Sequence, residues 1–172
     1  MRQLERPVKK VAGVLAVSAA TVGVCSVHAQ AVPLYWDVSA DSGLQAGDGV
    51  WDATGGTNWA DSDSPGTAAP GPWVQDSDAV FPVNGTSGIT VSGDVRVNSI
   101  SVAQFATPTL SADSSDGDDS LTLGAGGISH TGNNPLTFNM DIRLGASQAW
   151  HSTSTENGIL VNGSVGETAA GL

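Results

Sequence analysis

The sequence predicts an all-β fold, and three observations carry that prediction. Apolar runs are short and are separated by Gly, Asp, Ser, Thr and Pro, the residues that form turns. The chain is rich in Gly, Ser, Thr and Asp and lacks the Leu, Ala, Lys and Glu runs that favour helices. Beyond Phe81 the apolar residues alternate with polar ones, which is the period of an extended strand with one buried face.

The first 31 residues are an exception and read as an export signal. A basic start (Arg2, Arg6, Lys9, Lys10) precedes an apolar run from Val11 to Val24 and a small-residue exit. Cleavage fits after Ala29 or after Ala31. The apolar run falls short of the ~20 residues a membrane-spanning helix needs, so removal of residues 1–31 is expected. Cys25 follows Val24, where a lipid-attachment signal wants a small residue, and is expected to leave with the signal.

Residues 32–86 form a Trp-rich N-terminal segment. Four of the five tryptophans (Trp36, Trp51, Trp59, Trp73) and the only tyrosine, Tyr35, lie between Tyr35 and Phe81. Each aromatic sits in a short extended run, and a large aromatic side chain buries roughly 150–250 Å². Such residues can build a nucleus where the surrounding sequence is too Gly- and Ser-rich to build one. Asp61 to Pro72 holds three prolines and reads as a surface loop. The tryptophans are expected to be buried as a hydrophobic cap. Exposed stacking platforms for sugar rings are the alternative for Trp36, Trp51, Trp59 and Trp73.

Residues 87–172 alternate. Ile89, Val91, Val95 and Val97 fall on odd positions, with Thr90, Arg96 and Asn98 on the other face. Ile100 and Val102 are even, so a bend or bulge near Asn98-Ser99 is required if both sets face one core. Further strands are predicted at Leu121–Leu123, Leu136–Phe138, Ile142–Leu144 and Ile159–Val161, each bounded by Gly, Asn or Asp. The triplets ITV (from Ile89), LTL (from Leu121) and LTF (from Leu136) hint at a repeat. This pattern fits an antiparallel β-sandwich and a β-solenoid equally.

Charge narrows the function classes. Loss of the signal leaves Arg96 and Arg143 against sixteen carboxylates, a net charge of −14. Such a surface repels phosphate backbones and anionic headgroups, so neither nucleic acid nor a membrane surface is expected as a partner. With no cysteine beyond Cys25, disulfides do not hold the exported protein together. The roughly 140 remaining residues are enough for one domain that buries about two thirds of its extended-chain surface.

Candidate chemistry is sparse. Asp113, Asp116, Asp118 and Asp119 cluster around a Gly turn, the oxygen-rich composition that Ca²⁺ takes. The spacing of an EF-hand is absent, and a solvated acidic turn is the expectation. No cofactor is otherwise expected. No G-x-S-x-G is present, and a phosphate loop lacks its lysine after the signal. His130 and His151 are placed as surface residues in turns that flank strands. No enzyme is expected. Arg96 and Arg143 alternate away from their apolar neighbours and are expected to point outward, each beside a carboxylate.

Taken in order, several stretches carry a resemblance. They are YWD (Tyr35 to Asp37), GVWD (Gly49 to Asp52), TNW (Thr57 to Trp59), the run from Trp73 to Phe81, ITVSGDVRVNSISV (Ile89 to Val102), LTFNMDIRLGASQAWH (Leu136 to His151) and GILVNGSVG (Gly158 to Gly166). Across nearly all of the chain after the signal, the sequence resembles the start of autotransporter-associated β-strand repeat proteins, secreted passenger-type proteins of bacteria. That resemblance implies a right-handed parallel β-solenoid with a Trp-rich N-terminal cap, exported and displayed at the cell surface or outer membrane. It implies no catalytic site. The expected role is structural or adhesive, with glycans or surface proteins as partners. Members of the family continue through more repeats into a C-terminal barrel or anchor. The chain stops at Ala170-Gly171-Leu172 in mid pattern and reads as a truncated product. Two other functions remain open on the residues alone: a carbohydrate-binding module that uses the tryptophans, and a fragment of a polysaccharide-cleaving enzyme that uses paired carboxylates.

Overall fold

A computed structural model describes residues 31–113 and 119–168. The predicted signal cleavage sites, Asp116, Asp118 and the final Ala170-Gly171-Leu172 lie outside the described residues, apart from Ala31. The described chain is all strand and turn, with no helix.

Thirteen strands follow one another. The Trp-rich part supplies β1 (Pro33–Trp36), β2 (Gly49–Asp52), β3 (Trp59–Ala60) and β4 (Ser77–Phe81). Longer strands come next: β5 (Gly85–Ser92), β6 (Asp94–Val102), β7 (Ala106–Ala112) and β8 (Ser120–His130). Short ones finish the described chain: β9 (Leu136–Asn139), β10 (Ile142–Leu144), β11 (Trp150–Ser152), β12 (Ile159–Val161) and β13 (Val165–Glu167).

The strands form two sheets. The first runs β13-β10-β8-β6-β4-β1-β3, with β11 also on β8, and the second runs β12-β9-β7-β5-β2. From β4 to β10 the chain visits the two sheets in turn, so each strand pairs with the one two places earlier, and every such pair is parallel. Antiparallel contact is confined to β1 with β3 and to the bridge between Trp59 and Gly71. The antiparallel sandwich is therefore not the arrangement found. The reason lies in the links: Ser92-Gly93-Asp94 has the look of a hairpin turn, yet Gly93, at φ +74°, sends the chain from the second sheet into the first.

Parallel register stacks like residues on like. Val95 lies beside Leu121, which lies beside Ile142, and all three are buried. On the second sheet Ile89 lies beside Leu110 and Leu110 beside Phe138, also buried. All-parallel sheets are usually covered by helices on both faces. Here each sheet turns one face inward and leaves the other wet, which is why alternation survives in the sequence.

The predicted phase slip is present. Val97 and Ile100 both face the core, and the β6/β8 register shifts between Val97 and Ser99. The slack is taken up in β8 by Gly124-Ala125-Gly126. A Cβ on Gly126 would stand 2.6 Å from the Ser99 side chain, so this bulge requires glycine. Pro108 sits inside β7, opposite Ser87 of β5, while the pairing of β7 with β9 begins at Thr109, so the side of β7 towards β9 is open at the proline.

The boundary drawn between 86 and 87 falls inside β5. One apolar core runs without a break from Leu34 and Trp36 to Met140 and Ile142.

Candidate functional site

Trp36, Trp51, Trp59 and Trp73 retain 2%, 0%, 2% and 5% of their exposure, so no indole face is open to a sugar ring. Their rings pack around Trp59, edge to face with Trp36 at a centroid distance of 5.2 Å and tilted against Trp51 at 4.8 Å and Trp73 at 4.7 Å. Phe81 closes the cluster at 5.8 Å from Trp59. Each such pair adds about 0.5–1.5 kcal/mol beyond simple burial.

Polar links hold this cluster in place. Trp36 Nε1 donates to the Gly47 carbonyl at 3.1 Å, and Trp73 Nε1 donates to the Arg96 carbonyl at 3.2 Å. The indole N–H groups of Trp51 and Trp59 have no hydrogen-bond partner among the described residues. Buried Asp37 accepts from the backbone N–H of Gln45 at 3.1 Å and of Ser39 at 3.3 Å, pinning the loop behind β1.

The histidines separate. His151 is exposed on β11. His130 corrects the expectation of a surface residue: it ends β8 with 0% exposure, Nδ1 3.0 Å from Ser152 Oγ and Nε2 2.6 Å from the Asn134 carbonyl. The carbonyl can only accept, so Nε2 carries the ring proton and Nδ1 accepts from the serine. The ring ties β8 to β11 and to the turn before β9. Alternation continued from Leu121 and Leu123 places His130 outside, but the Gly124–Gly127 irregularity shifts the phase, so Ile128 and His130 face inward.

Of the acidic cluster, Asp113 is exposed, and Asp119 Oδ1 accepts the Gly93 N–H at 2.6 Å. Asp116 and Asp118 lie outside the described residues. Among the described residues no three His, Cys, Asp or Glu side chains converge as metal ligands.

Both arginines point outward, as alternation requires, and stand in one column on the first sheet with Thr122 between them. Arg96 meets Asp76 with two parallel bonds, Nε to Oδ1 at 3.1 Å and Nη2 to Oδ2 at 2.9 Å. That carboxylate raises the guanidinium pKa further above its ordinary value. Asp76 adopts φ 65° to make the contact, a conformation an aspartate tolerates better than most residues. Arg143 Nη1 donates to Ser120 Oγ at 3.2 Å and lies 3.7 Å from Asp94.

The outer faces of the sheets therefore differ. The first sheet carries the charges: Asp76, Asp78, Asp94, Arg96 and Arg143. Along the second sheet, from β5 through β7 to β9, the outward columns are hydroxyl and amide groups, with Val50 and Asp52 on the edge strand β2. Thr90 neighbours Ser111, Ser111 neighbours Asn139, and Thr109 neighbours Thr137.

Comparison with models of protein families finds no match, and no curated protein or solved structure matches the chain.

Proposed function

We propose that this chain is a non-catalytic structural or adhesive module of the bacterial exterior. In this reading it is the N-terminal part of an autotransporter-type passenger: a right-handed parallel β-solenoid whose first coils are closed by the tryptophan cluster. Its work is extension and display, and its partners are glycans or surface proteins. The observation that supports it is the pairing order from β4 to β10, in which successive strands alternate between two sheets and strands two places apart pair in parallel. Stacked units of that kind grow along one axis and present long wet faces, which suits a surface module. The signal-like residues 1–31 and the net charge of −14 on the rest support export and a soluble, repulsive exterior.

Expression of the full chain with a C-terminal tag in a Gram-negative host tests the proposal. The expected product leaves the cytoplasm and begins at Gln30 or Val32 by mass spectrometry. Retention in the cytoplasm with Met1 still attached would overturn it.

A further inference from the structure

We propose that the outer face of the second sheet holds a shallow site for a neutral sugar ring, centred on Gly88. The inference depends on neither export nor the number of coils. It rests on a depression of about 550 Å³ where Gly88 supplies no side chain, bordered by Asp48, Val50, Thr90, Thr109 and Ser111. That volume falls within the roughly 300–1,000 Å³ of small-molecule sites. Register places these groups side by side: Gly88 lies next to Thr109, and Val50, Thr90 and Ser111 form the adjoining column.

The donor set matches a polyol. Asp48 is fixed rather than free, because its Oδ1 accepts the Gly88 N–H at 2.6 Å. Its other oxygen accepts nothing among the described residues, which leaves a carboxylate acceptor in the lining for sugar hydroxyls. Thr90, Thr109 and Ser111 can each donate and accept, as a ring bearing several hydroxyls requires. Val50, 44% exposed at the end of the column, supplies the apolar contact that a ring's C–H groups need.

Charge selects the class of sugar. Neither arginine lies on this face, and the lining group that ionises is a carboxylate. Within a chain of net charge −14 after the signal, a uronate or sulfated sugar is repelled, whereas a neutral one meets no such barrier. The site thus lies on the outer face of the sheet whose inner face carries the buried Trp51.

Amide-detected NMR titration of the chain from Val32 with neutral cello-, xylo-, manno- and chito-oligosaccharides tests this. Saturable shifts from at least one of them, clustered at Gly88, Thr90, Thr109 and Ser111, with affinity on the order of millimolar, are expected. Oligogalacturonate should leave those amides in place. Two variants sharpen the result. Gly88→Ala puts a Cβ 2.8 Å from Asp48 Oδ1, which displaces that carboxylate from the lining, and Thr109→Val removes a hydroxyl at constant shape. Each is expected to weaken binding about tenfold or more, with tryptophan emission unchanged as the check on folding. Absence of shifts with all four neutral oligosaccharides, shifts clustered elsewhere, equal binding of oligogalacturonate, or full affinity in both folded variants would overturn the proposal.

Discussion

The Trp-rich segment and the last described strands solve the same problem with opposite means. From β1 to β4 the strands are short, but large rings fill the space between them, and all four indoles are at most 5% exposed. From β10 to β13 the strands are equally short, and one large ring, Trp150, stands where the first segment has a cluster. Leu144, Trp150, Ile159 and Val161 are only partly buried, and Leu160 and Val165 are 46% and 48% exposed. The middle strands, β5 to β8, bury their faces by having parallel neighbours on both sides. Burial in this architecture comes from stacked neighbours, and where they run out only bulk can replace them.

The largest expected effect breaks that comparison at its strong end. Trp51→Ala or Trp59→Ala should cost about 3–5 kcal/mol, as for a fully buried aromatic. Trp150→Ala should cost about 1–2 kcal/mol, in proportion to its partial burial. Urea unfolding followed by circular dichroism measures both. Equal losses at the two ends would remove the distinction.

Gly127→Ala comes next. Gly127 has φ +66°, and a Cβ there would meet the Ala149 carbonyl oxygen, so both the backbone and the β8/β11 contact must shift. A loss of about 2–3 kcal/mol is expected. Amide exchange should then accelerate first at Trp150–Ser152.

Native-state hydrogen exchange sharpens the contrast without mutation. Amides of β5 to β8 should exchange slowest, and those of β12 and β13 fastest, by several orders of magnitude. Uniform protection to Glu167 would contradict the gradient.

Surface electrostatics should matter least. The Arg96–Asp76 side chains are 53% and 66% exposed, so Arg96→Gln should shift stability by about 0–1 kcal/mol and less at 1 M salt. Asp52 gives a small acid dependence. Its carboxyl is held below the ordinary range chiefly by the Thr54 backbone N–H at 2.7 Å; burial opposes this, and the Thr54 hydroxyl adds a lesser pull in the same direction as the N–H. A depressed carboxylate stabilises the fold above its unfolded pKa, and that contribution is lost as pH falls through the lower folded value. Asp52→Asn should flatten the fall in melting temperature below about pH 4.

Much of the fold is legible in the residues. Periodicity two located Leu121–Leu123, Leu136–Phe138, Ile142–Leu144 and Ile159–Val161, and the change of parity between Val97 and Ile100 located the bulge. Pairing partners were not legible. Alternation says that a residue faces a core but not which strand lies beside it, and Val91-Ser-Gly-Asp-Val95 suits a hairpin as well as a turn between sheets. β7 was hidden by Pro108, and His130 by the glycines before it. The sugar-site residues escaped notice because each is an ordinary strand hydroxyl, and only register brings Gly88 beside Thr109.

One measurement tests the parallel stacking most directly: the backbone contacts of Val95 in solution NMR. The account predicts through-space contacts from the Val95 backbone to the backbone at Leu121, its parallel neighbour, and no short Hα–Hα contact across Gly93 between β5 and β6. Strong Hα–Hα contacts between the residues flanking Gly93, with none from Val95 to Leu121, would make β5 and β6 an antiparallel hairpin and contradict the account.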